Sequence, residues 1–233
     1  MDLKIKDVAD LLNVSESTIQ GWVSEGKIPA YKINQQYRFS RIEIENWMLS
    51  SKLAEQERLQ QIYPPPTEES QRSGMQQFSL YRAIHQGAVL SHVPGTSKEE
   101  LIRGTTALIS QRLGVDGEIL ADLLMDRENL MPTSINHGIA VPHTRDFLIK
   151  GPFDLVAVVY PQKPIEYGAL DGNPVHTLFF LFGSSDKRHL HLLAKIAHLS
   201  NNPETLKFLQ TKPDKTALLE YVRDWESKVR HFA

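Results

Sequence analysis

The stretch Gly138-Ile139-Ala140-Val141-Pro142-His143-Thr144-Arg145 decides the fold of the longer part of this chain. Its small and branched apolar residues predict the end of a buried strand, and Pro142 then fixes the backbone and removes a hydrogen-bond donor. Because His143 follows this rigid strand end directly, we expect its side chain to be presented rather than packed. A neutral imidazole is a nucleophile with an unperturbed pKa near neutrality. A structural role stays open, since histidine is a residue of intermediate burial.

Two further motifs flank this stretch. Upstream lies Asp126-Arg127-Glu128-Asn129, followed by Pro132-Thr133, and downstream lies a helix-like run from Asp186 to Ala197 that contains His189. In this order, the three motifs resemble the type-2 enzyme IIA domain (fructose, mannitol and nitrogen-regulatory branch) of the bacterial phosphoenolpyruvate-dependent phosphotransferase system. The resemblance covers roughly residues 78 to 228. One departure is Thr144, because the family usually has a small residue directly after the histidine.

The resemblance implies a phosphoryl-transfer site. His143 would accept the phosphoryl group, and His189 would donate a hydrogen bond to its oxygens. Arg127 would offer a planar, always-charged fork, and Thr133 and Thr144 would add hydroxyl donors. This chemistry needs a neutral imidazole held in one tautomer, and it rests mostly on positioning and charge stabilisation. The donor implied by the resemblance is the small histidine-phosphorylated phosphocarrier protein of the pathway.

Other interpretations of these residues stay open. Arg127 could instead form a surface ion pair with Glu128 or Asp126. His191 lies two positions after His189 and cannot share its helix face, so we expect only His189 in the site.

Metal and cofactor chemistry is not expected. A zinc site from His143, His189 and a carboxylate is the alternative, but no clustered ligand spacing favours it. The sequence has no Walker phosphate-binding loop, so ATP is not the expected donor. We therefore predict neither a metal nor an organic cofactor.

Composition sets the broad class. The 233 residues suffice for one large or two modest domains, and 41% hydrophobic with 23% charged residues is typical of globular proteins. There is no cysteine, no signal-peptide pattern at Met1, and no apolar run of about 18 residues that would span a bilayer. We expect a cytoplasmic protein without membrane insertion. A net charge of −2 argues against a broadly basic nucleic-acid binder.

The N-terminal segment predicts two short helices with a tight turn, then a hairpin and a third helix. Apolar residues from Ile5 onward fit one helix face, Ser15 caps the second helix, and the third runs from Arg41 to about Lys52. Residues 1–52 resemble the excisionase-type, MerR-like winged helix-turn-helix domain. The residues that carry this resemblance are Val8-Ala9-Asp10-Leu11-Leu12, Val14-Ser15-Glu16-Ser17-Thr18-Ile19, Trp22, Glu25-Gly26-Lys27-Ile28-Pro29-Ala30, Tyr37-Arg38-Phe39 and Trp47.

This second resemblance implies binding to double-stranded DNA. Groove-facing residues would be Ser15, Glu16, Ser17, Thr18 and Gln20, and wing residues would be Lys32, Gln35, Gln36 and Arg38. Residues 1–52 carry no net charge, although Lys27, Lys32, Arg38 and Arg41 cluster around the hairpin. Because phosphate contacts supply much of the affinity, we expect weak single-site binding and therefore a homodimer or a second site. The alternative is that the fold serves protein contacts only.

Residues 53–77 are predicted to connect the two domains. A Glu- and Gln-rich stretch to Ile62 extends the third helix, Pro64-Pro65-Pro66 stops it, and the polar residues 67–77 follow. A capping box at Ser97 is predicted to open a helix that ends at Gly114, and the next helix is predicted from Asp116 to Asp126. Helical patterns then alternate with apolar strands at Phe153–Tyr160 and Val175–Phe182. The predicted fold is a small, mainly α winged helix-turn-helix domain, followed at 78–228 by an α/β domain with a mixed sheet flanked by helices.

These features predict a DNA-binding regulator whose enzyme IIA-like domain is phosphorylated on His143. The alternatives are a phosphotransfer component of sugar uptake whose helix-turn-helix serves assembly only, and a binding module that is no longer phosphorylated. Because the connection looks flexible, phosphorylation must act through a surface: a contact between the domains, a dimer contact or a partner. It adds roughly −1.5 to −2 charge at the site.

Overall fold

The computed structural model describes residues 2–12, 14–49, 79–144, 148 and 153–228. The predicted connection at 53–77, with its three prolines, lies outside these residues, as does Arg145. The N-terminal unit contains β1 (Asp2–Leu3), α1 (Ile5–Leu12), α2 (Glu16–Ser24), β2 (Tyr31–Ile33), β3 (Gln36–Ser40) and α3 (Arg41–Leu49).

Local signals shape the N-terminal unit. The hydroxyl of Ser15 accepts a hydrogen bond from the backbone N–H of Thr18 at 3.1 Å, which caps α2 as predicted. Asn34 and Gln35 both have positive φ, the conformation that a two-residue hairpin turn needs. The strand β1, which the sequence pattern does not predict, pairs antiparallel with β3 and extends the hairpin to three strands in the order β1-β3-β2.

The C-terminal unit alternates helices and strands. Its elements are α4 (Ser79–Gln86), β4 (Val89–Val93), α5 (Lys98–Leu113), α6 (Gly117–Leu130), β5 (Ser134–Ile135), β6 (Ile139–Ala140), β7 (Leu155–Pro161), β8 (Thr177–Phe182), α7 (Asp186–Ser200), α8 (Pro203–Gln210) and α9 (Lys215–Lys228).

A five-stranded mixed sheet forms the centre of this unit, in the order β4-β7-β8-β6-β5. The β4–β7 and β6–β8 pairs are parallel, whereas β7–β8 and β5–β6 are antiparallel. Every residue of β7 and β8 is buried, so helices cover both faces of the sheet. The predicted fold class, a small, mainly α helix-turn-helix unit followed by an α/β domain with a mixed sheet flanked by helices, is confirmed.

The helix before the site is longer than the sequence suggested. The pattern predicted a helix from Asp116 to Asp126, but Asp116 is the N-cap and α6 continues to Leu130. Arg127 and Glu128 therefore lie on the last turn of α6, and both are buried.

The two units share one interior. On α7, nine of the fifteen residues are buried, which is more than the single stripe of a surface helix. One side of α7 packs against the sheet, and α1 and α3 of the N-terminal unit also contact α7. A single cluster of buried apolar side chains runs from Val8 and Ile44 in the N-terminal unit to Leu193 and Val222 in the C-terminal unit. Among the described residues, no helix is both long and apolar enough to cross a membrane.

Candidate phosphoryl-transfer site

His143 lies where β6 ends beside β8. Its backbone forms a parallel bridge with Leu181, and the N–H of Leu181 donates to the carbonyl of Pro142 at 2.9 Å. The backbone is thus held by the sheet, as the Pro-His pattern indicated. The side chain, however, is only 1% exposed. The expectation of a presented histidine is wrong in this conformation, because the N-terminal unit covers the strand end.

A single hydrogen bond fixes the tautomer of His143. Nδ1 lies 2.7 Å from the carbonyl oxygen of Val141. Because a carbonyl only accepts, Nδ1 must carry the proton, and the lone pair of the neutral ring is then on Nε2. Nε2 is therefore the nitrogen that can attack an electrophile.

His189 lies next to His143, on the first turns of α7. The two ring centroids are 5.1 Å apart. Burial lowers the pKa of His189 to about 3, with a further contribution from the charges of His143, Arg41 and Arg127, so this ring is neutral near pH 7. Its Nε2 atom is buried without a hydrogen-bond partner in the part of the chain that the structure describes.

A glycine sets the position of His189. A Cβ atom on Gly183, just after β8, would lie 2.8 Å from Cβ and 2.9 Å from Cα of His189. These distances are too short for any real side chain, so the close approach of α7 to the strand end requires glycine. The sequence reading had not included Gly183, which sits three residues before α7 begins.

Arg127 is buried, and it does not form the surface ion pair with Glu128 or Asp126 that the sequence left open. The guanidinium donates from Nη1 to the carbonyl of Met131 at 3.0 Å and from Nη2 to Oδ1 of Asn46 at 3.2 Å. Its side chain is 2% exposed.

The two threonines take different positions. Thr133 donates its hydroxyl to Oε2 of Glu128 at 2.6 Å, and its backbone N–H donates to the same oxygen at 3.0 Å. Burial raises the pKa of Glu128, and these bonds oppose that rise. The Thr133 hydroxyl proton is thus engaged with Glu128 in this conformation. Thr144 is buried directly after His143.

Glu45 of α3 occupies the centre of the site, and no sequence motif indicates that it belongs there. Oε2 lies 3.5 Å from Nε2 of His143 and 3.7 Å from Nε of Arg127. Oε1 accepts a hydrogen bond from Nε of Arg41 at 2.9 Å. Burial would raise the pKa of Glu45. Hydrogen bonds from His143 and Arg41 outweigh that effect and hold the pKa well below its usual range, so the carboxylate is charged; the bond from His143 requires a proton on Nε2 while α3 is in place.

The same atoms have a spacing that metal ligands can have. One ring nitrogen from each of His143 and His189 and one oxygen of Glu45 lie within 4.8 Å of one another. The zinc alternative needed a carboxylate that the sequence did not identify, and Glu45 is that carboxylate. The guanidinium groups of Arg41 and Arg127 face the same carboxylate, and their positive charge disfavours a divalent cation there.

The residues implied for DNA binding lie on α2, the turn before it and the hairpin. Most are exposed, and Thr18 and Arg38 are half-buried: the set is Ser15, Glu16, Ser17, Thr18, Gln20, Lys32, Gln35, Gln36 and Arg38. Nη2 of Arg38 donates to Gln36 at 2.8 Å, which links two of them. This surface remains accessible while α1 and α3 face α7.

Arg41 is not part of the group of basic side chains around the β2–β3 hairpin. The sequence grouped it with them, but its guanidinium pairs with Glu45 and, across the domain contact, with Asp186. Lys27 forms an ion pair with Glu25. The positive charge of the hairpin surface is therefore smaller than the sequence suggested.

Comparisons with known proteins match both units. The family model described as "Phosphoenolpyruvate-dependent sugar phosphotransferase system, EIIA 2" matches residues 83–225, and the model "Helix-turn-helix domain" matches residues 3–52. The larger match covers more than half of the chain. The chain therefore belongs to the EIIA type-2 family of the phosphotransferase system, and it carries a helix-turn-helix domain in front.

Individual relatives agree with this assignment. The nitrogen regulatory protein of Pseudomonas aeruginosa is 32% identical over 148 residues, which are 62% of this chain and 95% of that protein. The protein of the same name from Escherichia coli K12 is 27% identical over 152 residues, 64% of this chain and 92% of that protein. The crystal structure of the nitrogen regulatory protein IIA-Ntr from Neisseria meningitidis, 23% identical, shares the fold with a TM-score of 0.53 over 61% of this chain and 94% of that one.

Buried histidines make acid sensitivity an expected property. The pKa of His191 is lowered to about 3, by burial first and then by the charge of Lys195, and burial lowers the pKa of His189 to about 3 as well. Between pH 6.5 and about 3, the unfolded chain binds more protons than the folded one, so the free energy of unfolding falls as pH falls through this window.

We expect the melting temperature to be lower at pH 5 than at pH 7.5. His191→Gln, which cannot be protonated, should show a smaller loss between the two values. Equal losses in the variant and the parent would contradict this account. Thermal denaturation followed by circular dichroism measures both.

Proposed function

We propose that this chain is a DNA-binding regulator whose EIIA domain accepts a phosphoryl group on Nε2 of His143. The observation that carries the proposal is the arrangement around that atom. The Val141 carbonyl fixes the tautomer, and the neutral ring of His189 lies beside it with a buried nitrogen that has no partner within the described ranges. Arg127 supplies a buried positive charge. Preorganised donors of this kind stabilise the charge of a phosphoryl transition state.

The transfer needs no proton movement at His143. The Nε2 lone pair forms the bond to phosphorus while the bond between phosphorus and the donor's histidine nitrogen breaks, and that nitrogen keeps the electron pair. The proton on Nδ1 stays in its hydrogen bond to Val141. His189 would donate to a phosphoryl oxygen from Nε2, and Arg127 would balance the added negative charge.

The family and the relatives support the proposed donor and the proposed role. As a member of the EIIA type-2 family, the chain would take its phosphoryl group from the phosphocarrier protein of the pathway. The relatives that this chain covers over more than nine-tenths of their own length are named nitrogen regulatory proteins, which supports regulation over sugar uptake. The helix-turn-helix match supports double-stranded DNA as the second partner, with the exposed residues of α2 and the hairpin as its surface.

The proposal is tested with the intact protein. We expect incubation with the histidine-phosphorylated phosphocarrier to transfer one phosphoryl group, which mass spectrometry locates on His143. We also expect the protein to enrich particular fragments from sheared genomic DNA. Absence of labelling would contradict the phosphoryl-acceptor part, and absence of enrichment at low salt would contradict the DNA-binding part.

Wing and groove residues should affect DNA binding differently. Arg38→Ala is expected to weaken binding to all sequences and to lower the salt dependence, because a phosphate contact is lost. Gln20→Ala is expected to change the preference among sites, because base edges are read from α2. Gel shifts on the enriched fragments measure both, with Lys207→Ala, an exposed base of the EIIA domain, as the control. Equal behaviour of Arg38→Ala and Lys207→Ala would remove Arg38 from the DNA surface.

A second candidate function has one observation in its favour. The helix-turn-helix unit already makes an extensive protein contact through α1 and α3. A phosphotransfer component whose helix-turn-helix serves only assembly would make the same contact. That alternative predicts labelling of His143 without enrichment of any DNA sequence.

A further inference from the structure

We propose that the helix-turn-helix domain competes with the phosphoryl group for the site at His143. Glu45 places its carboxylate where the phosphoryl group on His143 would lie. Docking of α3 and phosphorylation of His143 then exclude each other. This inference rests on the proposed function, and it adds how access to the site is controlled. It assigns the surface around His143 to two alternating occupants: α3 of the same chain and the phosphocarrier.

The geometry puts an anion at the reacting nitrogen. Oε2 of Glu45 lies 3.5 Å from Nε2 of His143, and a hydrogen bond between them requires a proton on Nε2, the atom whose lone pair must be free to attack phosphorus. Nε of Arg127 lies 3.7 Å from the same oxygen, and Arg41 holds the other oxygen at 2.9 Å. A carboxylate with one positive charge on each side, facing an imidazole nitrogen, resembles a phosphoryl group in charge and in hydrogen-bonding capacity.

Occupation by Glu45 excludes phosphorylation for two reasons. A phosphorus atom bonded to Nε2, with its three oxygens, needs the volume that the Glu45 carboxylate fills. Its roughly −1.5 to −2 charge would also face the Glu45 carboxylate in a site without solvent, where like charges repel strongly. Glu45 itself is 0% exposed, so it cannot turn toward water while α3 stays docked.

The contact extends beyond one carboxylate. Nη1 of Arg41 pairs with Asp186 at the start of α7, and the side-chain amide of Asn46 bonds with both Arg127 and Met131. These side chains all lie on the face of α3 that meets the EIIA domain. With His143 only 1% exposed, a phosphocarrier cannot bring its own histidine to Nε2 until α3 leaves.

Docking leaves the proposed DNA surface open, since Gln20, Lys32 and Gln36 remain exposed in the docked form. The competition therefore concerns access to His143 and the freedom of the helix-turn-helix unit, and it does not mask α2. By linkage, whatever favours release of α3 favours phosphorylation by the same factor.

The test compares phosphorylation rates of full-length variants with the phosphorylated phosphocarrier. Glu45→Ala removes the competing carboxylate, and Arg41→Ala removes its anchor and the pair with Asp186. We expect both to speed labelling of His143, within the roughly 5–150-fold range of allosteric couplings. Glu43→Ala is the matched control, because Glu43 is an exposed acid on the same helix and is expected to leave the rate unchanged.

A cross-link tests the same point from the other side. The chain has no cysteine, so Asn46→Cys combined with Met131→Cys allows α3 to be fixed to the EIIA domain with a short thiol-reactive linker. We expect the cross-linked protein to lose labelling, while the uncross-linked double variant and each single variant keep it. Small-angle scattering of the parent should show a larger radius of gyration after phosphorylation.

The outcomes separate the two proposals. Labelling of the parent with no gain, or a loss, in Glu45→Ala would overturn the competition and make Glu45 a positioning residue. Labelling of the cross-linked protein at the parental rate would overturn it as well. No labelling of any variant would overturn the proposed function, and the competition with it. Zinc binding that requires Glu45, His143 and His189 together, measured by calorimetry, would assign the carboxylate to a metal and overturn the competition.

Discussion

His143→Ala is expected to abolish acid-labile phosphorylation by the phosphocarrier. The side chain provides the lone pair that would attack an incoming phosphorus atom, on Nε2, because Nδ1 is committed to the carbonyl of Val141. The strand end should survive the change, since backbone bonds to the sheet hold it and not the ring.

Labelling with the phosphorylated phosphocarrier, followed by peptide mapping, measures the effect. His85→Ala serves as the control, because His85 is an exposed histidine on α4. Circular dichroism checks that the His143 variant is folded. Label that remains on the folded His143→Ala protein would show that another residue is the acceptor.

His189→Ala is expected to slow the transfer by roughly 10²–10³-fold without moving the label from His143. Removing one preorganised donor has an effect of this size in well-studied sites. The ring of His189 is neutral, buried and beside His143. Its N–H can therefore donate a hydrogen bond to the negative charge that develops on the phosphoryl oxygens without first being desolvated. The loss should appear in the rate of transfer.

Single-turnover kinetics with excess phosphocarrier separate that rate from binding. His189→Gln, which keeps a neutral donor, is expected to recover part of the rate. Because His189 also lies under the docked α3, the measurement is repeated in the Glu45→Ala background, where docking no longer limits access. Unchanged kinetics of His189→Ala in both backgrounds would leave this histidine with a structural role.

Local sequence signals predicted the architecture well where the interactions are short-range. Ser97 caps α5, and Gly114 ends it in the left-handed conformation, because capping depends on a few neighbouring residues. The strand β1 was not predicted, since its two residues gain their structure only from pairing with β3. The predicted end of α6 at Asp126 is also too early, although Arg127, Glu128 and Leu130 are good helix formers and α6 continues to Leu130.

The candidate site could be predicted only in part. His143, Arg127 and His189 could be proposed because family motifs surround them, and the structure brings them together at one strand end. Glu45 carries no such signal. It belongs to the other domain, and its role depends on a docked arrangement that no local pattern encodes. For the same reason, the sequence predicted that the side chain of His143 is exposed, and it placed Arg41 among the basic residues that would contact DNA.

The shared interior has a consequence for the turnover of the protein. Domains of roughly 60 residues bury only about 60% of the surface that their unfolded chains expose, so the helix-turn-helix unit has little interior of its own. It completes that interior with α7. If α3 leaves the site, apolar side chains of α1 and α3 would lose this cover, and we expect the released unit to unfold more often. Cellular proteases act on such openings. Release would therefore shorten the lifetime of the protein, and the phosphorylation state would set how many copies the cell keeps.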